Sequence, residues 1–170
     1  GFAFRGVAEN YIAGVLLSLR SPFEPGDHVV IGTHEGKVAS LSARSTVLIT
    51  LSGEHLRLPN AMVFSQSILN YSRNNKRRFS FVLGIDVRED LAKAQRLGVH
   101  TLITMQGILE NPLPKAVIQQ IHAPIADVEY YAWIDQDETD FISARSEAIR
   151  MVRAALKKAG IDIPVPKVRA

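Results

Sequence analysis

Arg20-Ser21-Pro22-Phe23-Glu24-Pro25-Gly26-Asp27 divides the chain into two kinds of sequence. Its two prolines and Gly-Asp turn close an apolar helical stretch and open a β-strand. A second phrase, Leu58-Pro59-Asn60-Ala61, ends a run of strands with a Pro-Asn corner. Alternating, β-branched sequence lies between the two.

Upstream, residues 1–19 read as a helix rich in small residues: Gly1, Ala3, Gly6, Ala8, Ala13 and Gly14. An interior glycine costs a helix about 1 kcal/mol relative to alanine. Such a helix is either a poorly propagating surface or core helix, or one in which small residues let backbones approach closely. Arg5, Glu9 and Asn10 interrupt its apolar run, and the charge-free stretch Tyr11 to Leu19 is far shorter than the roughly 20 residues a bilayer requires.

Downstream, residues 27–71 read as all-β. His28–Ile31, Lys37–Leu41, Ser45–Leu51 and His55–Leu58 are strands, with turns at Gly32–Gly36 and Ser52–Glu54. Short strands with small turns predict a compact barrel or sandwich. The polar, basic stretch Ser72–Arg78 reads as a domain boundary. After it the period changes: strand Phe79–Ile85, a helix capped by Asp86 with Leu91, Ala94, Leu102 and Met105 on its apolar face, then strands Ala116–His122 and Val128–Ile134. A last helix runs from about Thr139 to Ala159, with Ile142, Ile149, Val152 and Leu156 on one side and Gly160 as its stop. Strand, helix, strand, strand, helix is the order of a small α+β layer of ferredoxin-like type. No internal repeat or low-complexity tract is visible.

The 170 residues are 46% hydrophobic and 22% charged, as in folded chains. A net charge of +3 does not by itself call for nucleic acid. With no cysteine, disulfides, thiolate metal sites and cysteine nucleophiles are excluded. The chain starts with glycine and has no leader pattern, so it reads as a piece of something longer. His28, His34, His55, His100 and His122 lack paired-ligand spacing, so no metal is expected. Asp135-Gln136-Asp137-Glu138-Thr139-Asp140 superficially resembles a calcium loop, but the sixth position is not glycine and the twelfth is Ser146; helix capping is its better reading. No nucleophile elbow, phosphate loop or metalloprotease motif is present, so neither an enzyme nor a cofactor is expected. Arg73, Lys76, Arg77 and Arg78 form a solvated linker, a charge ring at an opening if repeated around an axis, or an RNA contact. No aromatic is interleaved for base stacking, so nucleic acid is not expected.

The order of these features resembles the small-conductance mechanosensitive channel (MscS) family over essentially the whole chain. Pro22-Phe23 with Gly26-Asp27, Leu58-Pro59-Asn60, Asn70-Tyr71-Ser72-Arg73 and the turn Gly160-Ile161-Asp162-Ile163-Pro164-Val165-Pro166 match its motifs in register. The resemblance implies that residues 1–20 are the end of a pore-lining helix, 21–72 a small all-β (Sm-like) domain, and 73–170 an α+β ferredoxin-like domain with a truncated C-terminal strand. It implies that Phe2 contributes to the pore constriction, where leucine is usual, and that Gly6 is the helix hinge. Ala13 and Gly14 then pack neighbouring helices, Asn10 matches the family, and Arg5 stands where glutamine is common. Arg73, Lys76, Arg77 and Arg78 become candidates for a solute chamber or its portals. The whole protein would be a homo-heptamer in the inner membrane, reaching the bilayer through N-terminal helices and conducting ions when tension opens it, with this region on the cytoplasmic side. An Sm-like RNA-binding protein and a soluble oligomeric scaffold are the rival readings.

Overall fold

The computed structural model describes residues 1–164. The chain forms two compact units, Gly1–Asn74 and Asn75 onward. The final Val165-Pro166 of the expected C-terminal turn, and the truncated strand after it, lie outside the described residues.

The first unit opens with helix α1 (Phe2–Arg20), which ends at Ser21 in left-handed backbone (φ 44°). Five strands follow: β1 (His28–Ile31), β2 (His34–Leu41), β3 (Ser45–Ile49), β4 (His55–Pro59) and β5 (Ile68–Asn70). They form one antiparallel sheet in the order β4-β3-β2-β1-β5. Between β4 and β5 lies a short helix, α2 (Asn60–Ser65). This corrects the all-β expectation: the Pro-Asn corner starts a helix, too short for a helical period to show. Gly36 also lies within β2, not in a turn, and a Cβ there would come 2.5 Å from the Ile49 carbonyl oxygen across the sheet.

Alternate strand residues point inward, as the pleat demands. Val29 and Ile31 of β1, Val38 of β2, Leu48 of β3 and Leu58 of β4 meet Phe23, Val63 of α2 and Leu17 of α1 in one core. Burying each such side chain contributes roughly 1.5–3 kcal/mol. Leu17 therefore anchors α1 to the sheet by the same force that holds the sheet together.

The second unit contains β6 (Lys76–Asp86), α3 (Leu91–Thr104), β7 (Lys115–His122), β8 (Ile125–Asp135) and α4 (Phe141–Lys158). Its sheet is antiparallel in the order β6-β8-β7, which leaves β6 and β7 parallel on either side of β8, as in a split βαβ unit. Both helices pack on one face, against Phe79, Phe81, Ile85, Val128, Tyr130, Ala132 and Ile134. The Phe81 and Tyr130 rings stack with centroids 5.4 Å apart, and the Tyr130 hydroxyl donates to the Ala94 carbonyl at 3.1 Å. Gly98 of α3 sits over that ring, where a Cβ would overlap it.

Two expectations change here. Helix α3 is capped by Asp90, whose carboxylate accepts from the Lys93 N–H, not by Asp86. Asp86 ends β6 and takes both arms of the Arg88 guanidinium, at 2.6 and 2.9 Å. Ile142 is 78% exposed: it lies in the first turn of α4, and Phe141 takes the place against the core. At the other acidic stretch, Asp140 caps α4 by accepting from the Ser143 N–H at 2.8 Å.

Candidate functional site

Helix α1 presents one stripe to its own β-domain. Asn10, Ala13, Gly14 and Leu17 recur at helical spacing, and Ala13, Gly14 and Leu17 are buried. The closest approach is at Gly14, where a Cβ would lie 2.5 Å from the Ala43 carbonyl oxygen and 2.7 Å from Asn60 Nδ2. Ala13 and Gly14 are thus used within the chain, to bring the α1 backbone against the turn between β2 and β3.

Two asparagines lock this contact. Asn10 Oδ1 accepts from the Ala61 N–H at 2.9 Å, satisfying a free amide in the first turn of α2 that Pro59 has no side chain to cap. Asn60 is fully buried: its Oδ1 accepts from the Thr46 hydroxyl at 3.0 Å, and its Nδ2 donates to the Ser42 carbonyl at 2.9 Å. Its own N–H donates to the Arg44 carbonyl. The Leu-Pro-Asn corner is therefore the fastening between α1, the β2–β3 turn and α2.

The other end of α1 is tied by the remaining two motifs. Asp27 Oδ2 accepts from the Glu24 N–H and from Asn70 Nδ2, at 2.9 and 2.8 Å. Asn70 Nδ2 also reaches the Pro22 carbonyl, while its Oδ1 accepts from the N–H groups of Ser72 and Arg73. The Arg73 guanidinium donates to the Ser21 carbonyl at 2.6 Å, placing a cation at the negative end of α1. Arg73 is thus engaged at the helix C-terminus.

The opposite side of α1 has no cover within this unit. Phe4, Tyr11, Ile12, Val15 and Leu19 are all exposed, an apolar surface running along the helix, and Val7 stands at its edge towards β3 and β4. Phe2, at the N-terminal end, is 92% exposed. Gly6 has open space around its Cβ position, and α1 continues through it unbroken. Arg5 is exposed and pairs with Glu9 at 2.9 Å, one turn on.

The basic run is not a linker: Lys76, Arg77 and Arg78 are the first residues of β6. The pleat divides them. Lys76 and Arg78 lie opposite Asp135 and Trp133 on the face away from the helices, and Arg78 sits 4.7 Å above the Tyr131 ring. Arg77 points to the helix side, 3.8 Å from the Phe141 ring centroid. On the Arg78 face, Glu129 accepts from the Tyr131 hydroxyl at 2.6 Å and from Gln119. These bonds, the one from Tyr131 foremost, hold its carboxyl below the usual glutamate range.

Among the described residues, no three His, Asp or Glu side chains converge on a possible metal position. His28 lies 2.8 Å from Glu35, and His122 lies 2.9 Å from Asp127. Nor is any helix among them long and apolar enough to cross a membrane.

Residues 6–73 match the family described as mechanosensitive ion channel, β-domain. An uncharacterised MscS family protein of Archaeoglobus fulgidus is 29% identical over 98% of this chain and 58% of its own length. A small-conductance mechanosensitive channel of Edwardsiella ictaluri is 26% identical over 99% of the chain and 58% of its own. The closed-state crystal structure of Helicobacter pylori MscS superposes with a TM-score of 0.89 at 26% identity, over 99% of this chain and 66% of that one. Arabidopsis thaliana MSL1 shares the fold with a TM-score of 0.83 at 19% identity, over 96% of this chain and 61% of that one. Fold, motifs and relatives agree: the chain is similar to the MscS family of mechanosensitive channels throughout, and residues 6–73 carry that family's β-domain. It spans about three fifths of the length of the curated relatives it matches.

Proposed function

We propose that this chain is part of a subunit of a tension-gated ion channel that releases ions and small solutes during hypo-osmotic shock. The observation that carries the reading is the division of α1: one stripe fastened to the β-domain, the other an apolar surface with nothing of its own unit to cover it. Repeated around an axis in a homo-heptamer, that surface would pack against neighbouring copies and line a pore. An apolar ring at Phe2, too narrow to stay wetted, would block ions in the closed state. Membrane tension favours the state of larger in-plane area, and Gly6, with open space at its Cβ position, is where α1 would bend as the ring widens.

In this reading the protein sits in the inner membrane through segments upstream of Gly1, with the β-domain and the second unit on the cytoplasmic side. Lys76 and Arg78, on the face of β6 away from the helices, are the first candidates for chamber or portal charges, and Arg73 and Arg77 follow them. Arg5, paired with Glu9, makes a weak contribution to ion preference. No catalytic step is involved.

The test is electrical. The full-length protein, in patches from membranes lacking other mechanosensitive channels, should open in discrete steps whose frequency rises with suction. Silence up to patch rupture, with the protein shown to be in the membrane, would refute the reading.

A further inference from the structure

One recess in the first unit is lined by hydrogen-bond donors and carries cations alone. Val7 and Asn10 of α1, Arg44 and Ser45 at the start of β3, and Arg57 and Pro59 of β4 surround a space of about 340 Å³. No carboxylate lines it; Glu9, beside Asn10 in the chain, already accepts from Arg5. The Arg57 guanidinium reaches only the Ser45 hydroxyl, at 3.4 Å, a long bond. Arg44 makes no side-chain hydrogen bond or ion pair among the described residues.

Asn10 sharpens the point. Its Oδ1 is occupied by the Ala61 N–H, which fixes the amide and leaves Nδ2 to donate. The lining therefore brings together two arginines, the Asn10 amide and Ser45, whose hydroxyl also meets Ser42 Oγ at 3.2 Å, with Val7 and Pro59 as an apolar rim. With two arginines and no carboxylate in its lining, the recess carries a positive field that favours an anion. Planar forks match a tetrahedral oxyanion with two bonds each.

We infer that this recess binds a phosphate-class oxyanion, either free phosphate or the phosphodiester of a lipid headgroup. The recess is built wholly within one unit and does not depend on the channel reading.

Inorganic phosphate is titrated against the 170-residue chain at constant ionic strength, read by calorimetry and by shifts of the arginine side-chain resonances. In parallel, the chain is sedimented with vesicles of phosphatidylcholine alone or mixed with phosphatidylglycerol. The variant is Arg44→Gln/Arg57→Gln; Arg96→Gln/Arg153→Gln, at exposed positions of the second unit, matches its charge. Saturable phosphate binding, weakened at least about tenfold in the first variant and unchanged in the second, establishes a site for the free anion. Phosphatidylglycerol-dependent sedimentation lost in the first variant alone, without a phosphate response, establishes a headgroup site. If the wild-type chain responds to neither probe, or both variants behave alike, the inference fails. Shifts confined to the Arg44 and Arg57 resonances of the wild-type chain keep the test valid should the variant misfold.

Discussion

Replacing Gly14 by alanine, and separately Gly6 by alanine, puts the same methyl group on the same helix with opposite expected results. In an unpacked helix interior, alanine is better than glycine by about 1 kcal/mol. At Gly6 nothing lies within 4 Å of the new Cβ, so that gain stands alone and the chain becomes more stable by up to about 1 kcal/mol. At Gly14 the Cβ meets the Ala43 carbonyl oxygen at 2.5 Å and Asn60 Nδ2 at 2.7 Å. Neither can step aside: one is backbone, and the other is held by the Ser42 carbonyl. Overpacking of this kind costs typically 1–3 kcal/mol. The helix gain offsets part of it, leaving Gly14→Ala about 0–2 kcal/mol less stable than the parent. Urea unfolding followed by far-UV circular dichroism gives the difference, and amide hydrogen exchange shows whether α1 is the element that loosens. A Gly14→Ala chain as stable as Gly6→Ala would refute the claim that Gly14 seats the helix on its own β-domain.

Other perturbations test the remaining fastenings. Asn60→Ala leaves the buried Thr46 hydroxyl and the Ser42 carbonyl without their partner, at about 1–3 kcal/mol for a buried group left unpaired; urea unfolding should show the loss. Asp140→Ala removes the cap of α4 and should cost about 1 kcal/mol, with faster exchange at the Ser143 amide. Asp86 is held at about 2 by Arg88, against an ordinary 3.8, so its contribution is complete above about pH 4 and disappears as pH falls towards 2. Asp86→Asn should therefore be less stable than the parent at neutral pH and lose less stability on acidification over that window, measured as unfolding midpoints against pH.

Much of this architecture was legible because its signals are local. Alternation in 28–58, the helical period of 141–158 and the acidic residues ahead of it were each carried by adjacent side chains. What was misread depended on distant partners or on very short elements. Helix α2 is six residues long and begins at a Pro-Asn corner, so it has no period of its own. Gly36 looks like a turn glycine until β3 is laid beside it. Lys76–Arg78 are polar enough to suggest a linker, and only pairing with Asp135–Trp133 shows them to be strand. Both Asp86 and Asp90 can cap a helix; Arg88, two residues on, takes the first and leaves the second. At the candidate site, the motifs were visible as phrases but their purpose was not. Asn10 and Ala61 are 51 residues apart in sequence, as are Arg73 and Ser21 by 52, and nothing local announces such bonds.

The fastenings of α1 are unevenly spaced, and mechanics follows from that. Counting back from Ser21, the helix is gripped at Arg73's bond, at Leu17, at Gly14 and at Asn10, and among the described residues no hydrogen bond ties it to the sheet before Asn10. The eight residues Phe2 to Glu9 overhang, a cantilever of roughly 12 Å at 1.5 Å per residue. A sideways load at the tip is resisted first at the Asn10–Ala61 bond, which is the root of the beam. Gly6 lies in the free span, where bending breaks no bond to the sheet. The rest of the helix moves only with the β-domain, so a small turn of that domain sweeps Phe2 through the longest arc in α1.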